Sequence, residues 1–102
     1  MLSIHMDRSK WEVTCEGHCG YAEEGKDIVC AAASMLTATL IRSLMGVTGM
    51  VADTPAPGNA HIRCTPTLAE AQHTAEVFDT IDCGYQLLAN SYPVHVHYTK
   101  HV

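Results

Sequence analysis

A histidine and a cysteine flank a short glycine-rich stretch of this sequence. His18 lies in Gly17-His18-Cys19-Gly20, and Cys30 stands twelve positions further on, three residues after Asp27. A cysteine thiolate is a nucleophile, and an imidazole beside it can take the thiol proton and later protonate a leaving group. Such a pair performs acyl transfer, provided that the surrounding elements bring the two side chains together.

The elements on either side of this stretch are suited to doing so. Trp11, Val13 and Cys15 alternate with polar residues, which is typical of a strand with one buried face that ends at Gly17. Asp27 is a candidate N-cap for an apolar helix from Ile28 to about Met45. Cys30 would then be the third helical residue, where the helix N-terminus favours a thiolate and free amides can stabilise an oxyanion.

Each of these residues also has a purely structural interpretation. Cys30 is a small apolar residue that would suit a core, and His18 would then simply be exposed; spacing alone favours this interpretation. Asp27 is by default a helix cap, and its alternative role is to orient His18. Ser34 lies one turn below Cys30, where a core hydroxyl bonded to a backbone carbonyl is a simpler interpretation than a catalytic group.

The remaining chain predicts four further strands and a second helix. Thr67 to Glu70 has the spacing of a capping box, and the apolar stripe behind it recurs every three or four residues. The stripe is Leu68, Ala71, Ala75, Phe78, Ile81, Tyr85 and Leu88. The other predicted segments are strands at Met1 to His5, Val47 to Ala52, Ala60 to Thr65 and Val94 to Thr99, with a turn at Pro55 to Asn59.

This order, strand-strand-helix-strand-strand-helix-strand, predicts an α+β fold. We expect a two-layer arrangement with a mainly antiparallel sheet and two main helices, because hairpins precede and follow the first helix. A length of 102 residues predicts a single domain spanning 1–102.

Composition narrows the classes of partner. The formal net charge is -5 with six Lys plus Arg, which argues against nucleic acid as a direct partner because phosphate binding needs clustered cations. No apolar run approaches the roughly 20 residues of a membrane span. The five cysteines are an odd number and no signal peptide precedes them, so we expect free thiols, a cytoplasmic location and no membrane partner.

A metal site is the alternative use of these cysteines and histidines. Cys15, His18, Cys19 and Cys30 offer soft ligands, but the paired Cys-x-x-Cys spacing of structural zinc is missing. His95, His97 and His101 are expected on a solvent-facing edge. We therefore expect neither a metal nor a cofactor.

The combined motif resembles that of a known family, the ribosomal-processing cysteine protease Prp. The residues that carry the resemblance are Gly17-His18-x-Gly20 and Gly25-x-Asp27-Ile28-Val29-Cys30-Ala31-Ala32-x-Ser34. The coarse pattern of the whole chain agrees, from the N-terminal hairpin to the Tyr92-Pro93 that ends the second helix.

The resemblance implies a cytoplasmic cysteine endopeptidase. Its substrate would be the N-terminal extension of a bacterial large-subunit ribosomal protein, the one that reaches toward the peptidyl-transferase centre, and removal of the extension would support ribosome assembly. His18 matches the catalytic histidine and Cys30 the catalytic cysteine, with Asp27 and Ser34 as supporting residues. The segment from Cys19 to Lys26, which includes Gly20, Tyr21 and Gly25, matches a mobile substrate loop, and the family resemblance also implies a homodimer.

The sequence departs from the family pattern at Cys19, where alanine is usual. A disulfide between Cys19 and Cys30 would be possible if the loop brings the two sulfurs together. Two other functions stay open: a non-catalytic ribosome-assembly or interaction module, and a metal-binding domain.

Overall fold

The computed structural model of the chain describes residues 1–23, 25–56 and 58–102. In these ranges the elements follow the predicted order of strands and helices. They are β1 (Leu2–Asp7), β2 (Glu12–Gly17), α1 (Ile28–Ser43), β3 (Val51–Ala56), β4 (Asn59–Arg63), α2 (Ala71–Ser91) and β5 (Val96–His101), with one 3-10 turn (Leu68–Glu70) before α2. The α+β prediction is confirmed.

The strands form one five-stranded sheet in the order β3-β4-β2-β1-β5. β1 pairs antiparallel with β2, β2 with β4, and β3 with β4, whereas β1 and β5 run parallel. The sheet is therefore mainly antiparallel, as predicted, and the C-terminal strand closes one edge beside the N-terminal strand.

Both helices pack on one face of this sheet. The inward side chains of β1 are buried and alternate with exposed ones, so the other sheet face is open. The core takes Ile4, Val13 and Ile62 from the sheet, and Leu40 and Phe78 from the helices, all essentially without exposed surface. At Gly84 an added Cβ would meet the Leu36 side chain, so glycine lets α2 lie close to α1.

Several predicted positions are wrong. The strand expected at Val47 to Ala52 is β3 at Val51–Ala56, because Val47 is a buried residue of the turn after α1. Pro55 consequently lies in a strand and not in a turn, while Pro57 of that predicted turn lies outside the described residues. Leu68 was expected in the buried stripe but is 95% exposed, since it stands in the 3-10 turn.

Two other segments are shifted. Trp11, the first residue predicted for the second strand, lies instead in the hairpin turn before β2 and has a positive φ of 51°. From this turn its ring packs edge-on against Phe78. The last strand begins at Val96, two residues later than predicted, because His95 still belongs to the bend after Tyr92: its N–H donates to the Tyr92 carbonyl at 3.0 Å.

Candidate active site

Asp27 sets the start of α1, as the sequence predicts. Its backbone is extended, and its Oδ1 accepts a hydrogen bond from the Cys30 N–H at 2.8 Å, the geometry of an N-cap. Cys30 is therefore the third residue of the helix. The hydrogen bond from the Cys30 N–H, with others from nearby backbone amides, lowers the pKa of the Asp27 carboxyl, which stays ionised near neutral pH.

The same carboxylate also holds the loop that precedes the helix. Its Oδ2 accepts hydrogen bonds from the Tyr21 N–H at 3.1 Å and the Ala22 N–H at 3.4 Å. Among the described residues, the hydrogen bonds of Asp27 go to backbone amides. The cap interpretation of Asp27 is confirmed, while a role in orienting His18 stays a prediction.

This cap uses one of the backbone amides that could have stabilised an oxyanion at Cys30. Free amides at the helix start were expected near the Cys30 thiol, but the N–H of Cys30 itself donates to Asp27. A carbonyl oxygen at Cys30 would need a different donor, or would have to displace the Asp27 carboxylate.

His18 and Cys30 both line one open cleft, which has a volume of about 760 Å³ and is called the cleft below. His18 is exposed, and Cys30 is half-buried with its side chain against the edge of the core. Ser34 lines the cleft and is exposed, so its interpretation as a core hydroxyl is wrong. The full lining is His18, Cys19, Gly20, Ala22, Gly25, Asp27, Cys30, Ala31, Ser34, Ala56 and Asn59.

A second thiol lies beside Cys30. The Cys19 side chain is 2% exposed and lines the same cleft as Cys30. Burial, together with the neighbouring Cys30 and Asp27, raises the pKa of the Cys19 thiol to about 11. Cys19 is therefore a protonated thiol at neutral pH.

The outer side of the loop packs on the end of α2. The Tyr21 ring makes edge-on contacts with Tyr92 at 5.6 Å and with His95 at 5.3 Å between ring centroids. His95 Nδ1 donates a hydrogen bond to the Cys19 carbonyl oxygen at 3.0 Å. The prediction of a solvent-facing His95 is wrong, because this half-buried imidazole anchors the loop.

The β3–β4 hairpin supplies a wall of the cleft that sequence reasoning missed. Asn59 Oδ1 accepts a hydrogen bond from the Gly17 N–H at 3.4 Å, which ties the hairpin to the residue before His18. A second cavity of about 350 Å³ continues from Cys30 between α1 and this hairpin, and its lining is mostly apolar. Its residues include Ala33, Thr37, Ile41, Thr54 and Ala60. The turn residues after Pro55 were the available signal, but nothing in their spacing tied them to Cys30.

The predicted loop residues differ in their positions. Gly20 and Gly25 line the cleft at positive φ with open space around them, whereas the Tyr21 ring lies on the outer side. Glu24, inside the predicted loop, lies outside the described residues. Across the described ranges, no three His, Cys, Asp or Glu side chains come together as a group that could hold a metal ion. Within those same ranges, no helix is long and apolar enough to cross a membrane.

Comparison with known proteins gives a consistent result. A family model described as "Cysteine protease Prp" matches residues 1–97. No curated protein matches the sequence.

Three solved structures illustrate the similarity of fold. An essential ribosomal processing protease Prp from S. aureus, in complex with a covalently linked product peptide, superposes with a TM-score of 0.80 at 22% identity, covering 98% of this chain and 99% of that one. SMU.848 from Streptococcus mutans superposes with a TM-score of 0.73 at 25% identity, covering 98% of this chain and 91% of that one. A second S. aureus Prp structure, with a substrate peptide, gives a TM-score of 0.68 at 22% identity over 97% and 96% of the two chains.

Proposed function

Because the chain belongs to the cysteine protease Prp family, we propose that it removes the N-terminal extension of a bacterial large-subunit ribosomal protein. This endopeptidase activity would support ribosome assembly. The observation that carries the proposal is that His18 and Cys30 line one open cleft, with Cys30 in the first turn of α1.

The proposed mechanism uses these two side chains in sequence. His18 takes the proton of the Cys30 thiol, and the thiolate attacks the carbonyl carbon of the scissile peptide bond. His18 then protonates the leaving amine, and a thioester remains on Cys30. A water molecule, giving its proton to His18, hydrolyses the thioester and frees the thiol.

Asp27 and Ser34 act in support of this chemistry. The Asp27 carboxylate fixes the first turn of α1 and the Tyr21 and Ala22 amides, so that helix and loop keep their relative positions. Ser34 lies on the cleft wall one turn below Cys30, where its hydroxyl is available to a bound peptide. Gly20 and Gly25 allow the loop between them to open and close over that peptide.

Two features favour a ribosomal protein segment as substrate. The cavity beside Cys30 is mostly apolar, which suits an apolar or aromatic segment before the cleavage point. The net charge of -5 suits a basic partner such as a ribosomal protein. The S. aureus relatives bound to substrate and product peptides support a peptide in this cleft.

The direct test is cleavage of the extended ribosomal protein from the same genome. We expect Cys30→Ala and His18→Ala each to lower kcat/KM by at least about 10³-fold, because each removes an essential partner of the reaction. Cys83→Ala is the matched control, since Cys83 is an exposed thiol on α2 outside the cleft. Cleavage by Cys30→Ala at the rate of the control would exclude the mechanism.

The rival function is a non-catalytic assembly or interaction module, and it predicts that Cys30 reacts no faster than other exposed thiols of the protein. We expect iodoacetamide to label Cys30 at least about tenfold faster than the more exposed Cys83 near neutral pH, and His18→Ala to remove most of this difference. Equal labelling rates, together with tight binding of the uncut ribosomal protein, would favour the rival.

We further propose a cytoplasmic homodimer. Ile28 and Met35 lie seven residues apart on one face of α1, and they are 59% and 67% exposed. Burial of this apolar face against a second copy would account for both side chains. Light scattering should give twice the monomer mass, and Met35→Glu should shift the protein toward monomer, whereas an unchanged monomer mass for the wild type would contradict the dimer.

A further inference from the structure

A buried thiol lines the same cleft as the proposed nucleophile. Cys30 lines the open cleft and is half-buried, while Cys19 lines the same cleft and is 2% exposed. We propose that Cys19 is a resolving thiol, which traps peroxide-oxidised Cys30 as a Cys19–Cys30 disulfide and switches the protease off reversibly. The regulatory part of this inference rests on the proposed function, whereas the disulfide itself does not.

The loop backbone is anchored at Cys19 and again at Tyr21, which holds Cys19 at the cleft. Its carbonyl oxygen accepts from His95 Nδ1 at 3.0 Å, and two residues further on the Tyr21 N–H donates to Asp27 at 3.1 Å. Since Asp27 also caps the helix that carries Cys30, one carboxylate links the two cysteine-bearing segments. A disulfide needs its two Cα atoms within about 7 Å of each other, and Gly20, at positive φ in open space, lets the loop adjust toward Cys30.

Accessibility decides which sulfur is oxidised first. Peroxide reaching the cleft meets Cys30, because Cys19 has almost no exposed surface. Burial and the neighbouring Cys30 and Asp27 raise the pKa of Cys19 to about 11, so little Cys19 thiolate is present to compete for the oxidant at neutral pH. Cys30 therefore takes the oxygen, and Cys19 acts in the second step.

The chemistry balances with hydrogen peroxide as the oxidant. The Cys30 thiolate attacks one peroxide oxygen, the O–O bond breaks, and Cys30 sulfenic acid and hydroxide form; the hydroxide and the proton lost from Cys30 make one water. The Cys19 sulfur then attacks the sulfenic sulfur, the S–O bond breaks, and the hydroxyl leaves with the Cys19 proton as a second water. Two thiols are oxidised and one peroxide is reduced, and a dithiol such as dithiothreitol reverses the result.

Peptide mapping tests the pairing directly. The reduced full chain is treated with stoichiometric hydrogen peroxide, alkylated and digested with trypsin, which cleaves after Lys10, Lys26 and Arg42. The expected product is peptide 11–26 crosslinked to peptide 27–42, in a protein that has lost two hydrogen atoms. Because peptide 11–26 also holds Cys15, the control Cys15→Ala must retain the crosslink, and Cys19→Ala must lose it.

Activity gives the second readout, with each variant compared with its own rate before oxidation. The wild type should lose peptide cleavage on oxidation and regain it with dithiothreitol. In excess peroxide, Cys19→Ala should lose cleavage permanently, because a second peroxide oxidises its Cys30 sulfenic acid to sulfinic acid, seen as two added oxygens. A wild type that cleaves substrate but yields Cys30 sulfinic acid with Cys19 still a free thiol would overturn the inference. A protein that forms the crosslink but never cleaves substrate would support the thiol pairing and overturn the proposed function.

Discussion

His95 shows how a single residue can position a site from outside it. Its ring packs against Tyr21, and its Nδ1–H donates to the Cys19 carbonyl, so it contacts the loop at two points while staying out of the cleft. His18 immediately precedes Cys19 in the chain. Fixing the Cys19 carbonyl therefore restricts the position of the His18 backbone. It thereby also restricts the position of the His18 imidazole, the proposed general base.

Removal of this anchor should lower the rate without removing the chemistry. A hydrogen bond contributes about 1 kcal/mol and an aromatic contact about 0.5–1.5 kcal/mol, so we expect His95→Ala to lower kcat/KM by about tenfold. His95→Phe restores the ring contact alone and should recover part of the loss. His97→Ala is the matched control, because His97 is an exposed histidine two residues away. Equal kinetics for His95→Ala and the control would show that the loop needs no such anchor.

At the scale of elements, the β3–β4 hairpin fixes the chain just before His18. Gly58 has a positive φ of 84°, and a Cβ there would clash with the Gly17 carbonyl oxygen and lie 3.4 Å from His18 Nδ1. Together with the hydrogen bond between Asn59 and Gly17, this close approach makes the turn part of the cleft wall. The β3–β4 hairpin at the edge of the sheet thus fixes the position of the C-terminal end of β2.

Gly58→Ala should therefore lower the free energy of unfolding by more than backbone strain alone would. Gly46→Ala is the matched control, since Gly46 has a similar φ of 90° but open space around it. A left-handed alanine costs about 1–2 kcal/mol, so urea unfolding should show that loss for Gly46→Ala and a larger one for Gly58→Ala. Peptide cleavage should fall in Gly58→Ala alone, because only there does the added methyl displace Gly17 and His18. Equal losses in both variants would mean that the hairpin does not support the site.

Local patterns predicted the elements that carry the motif, and failed where tertiary contacts decide. Asp27 specified the helix start because capping is a short-range interaction. β3 was misplaced because all six of its residues are exposed, so the alternation that marks a half-buried strand is absent from this edge. The hydrogen bond between His95 and Cys19 joins residues 76 positions apart, and no spacing rule encodes it.

At the scale of the whole molecule, Asp82 joins α2 to the C-terminal strand. This residue is 8% exposed, and it accepts hydrogen bonds from the Tyr98 hydroxyl at 2.6 Å and from Lys100 Nζ at 2.9 Å. Burial alone would raise the pKa of Asp82, but the hydrogen bonds from Tyr98, Lys100 and Gln86 outweigh it and lower the pKa. We call these hydrogen bonds of Asp82 the clamp. Because β5 pairs with β1, the clamp ties both chain ends to α2.

Asp82→Ala should destabilise the fold by about 1.5–3 kcal/mol, the range for hydrogen bonds to a charged group, with an unchanged urea m-value. Because the folded-state pKa is lowered, the stabilisation is fully present above the ordinary value of 3.8 and is lost as the pH falls through the lowered pKa. The difference in unfolding free energy between wild type and variant should hence be constant from pH 7 to about pH 4 and narrow below it. Asp53→Ala, at an exposed position on edge strand β3, is the control and should change stability by no more than about 0.5 kcal/mol. A wild-type advantage over Asp82→Ala that grew toward acid pH would contradict the clamp, since it would require a carboxyl that stabilises the fold in its protonated form.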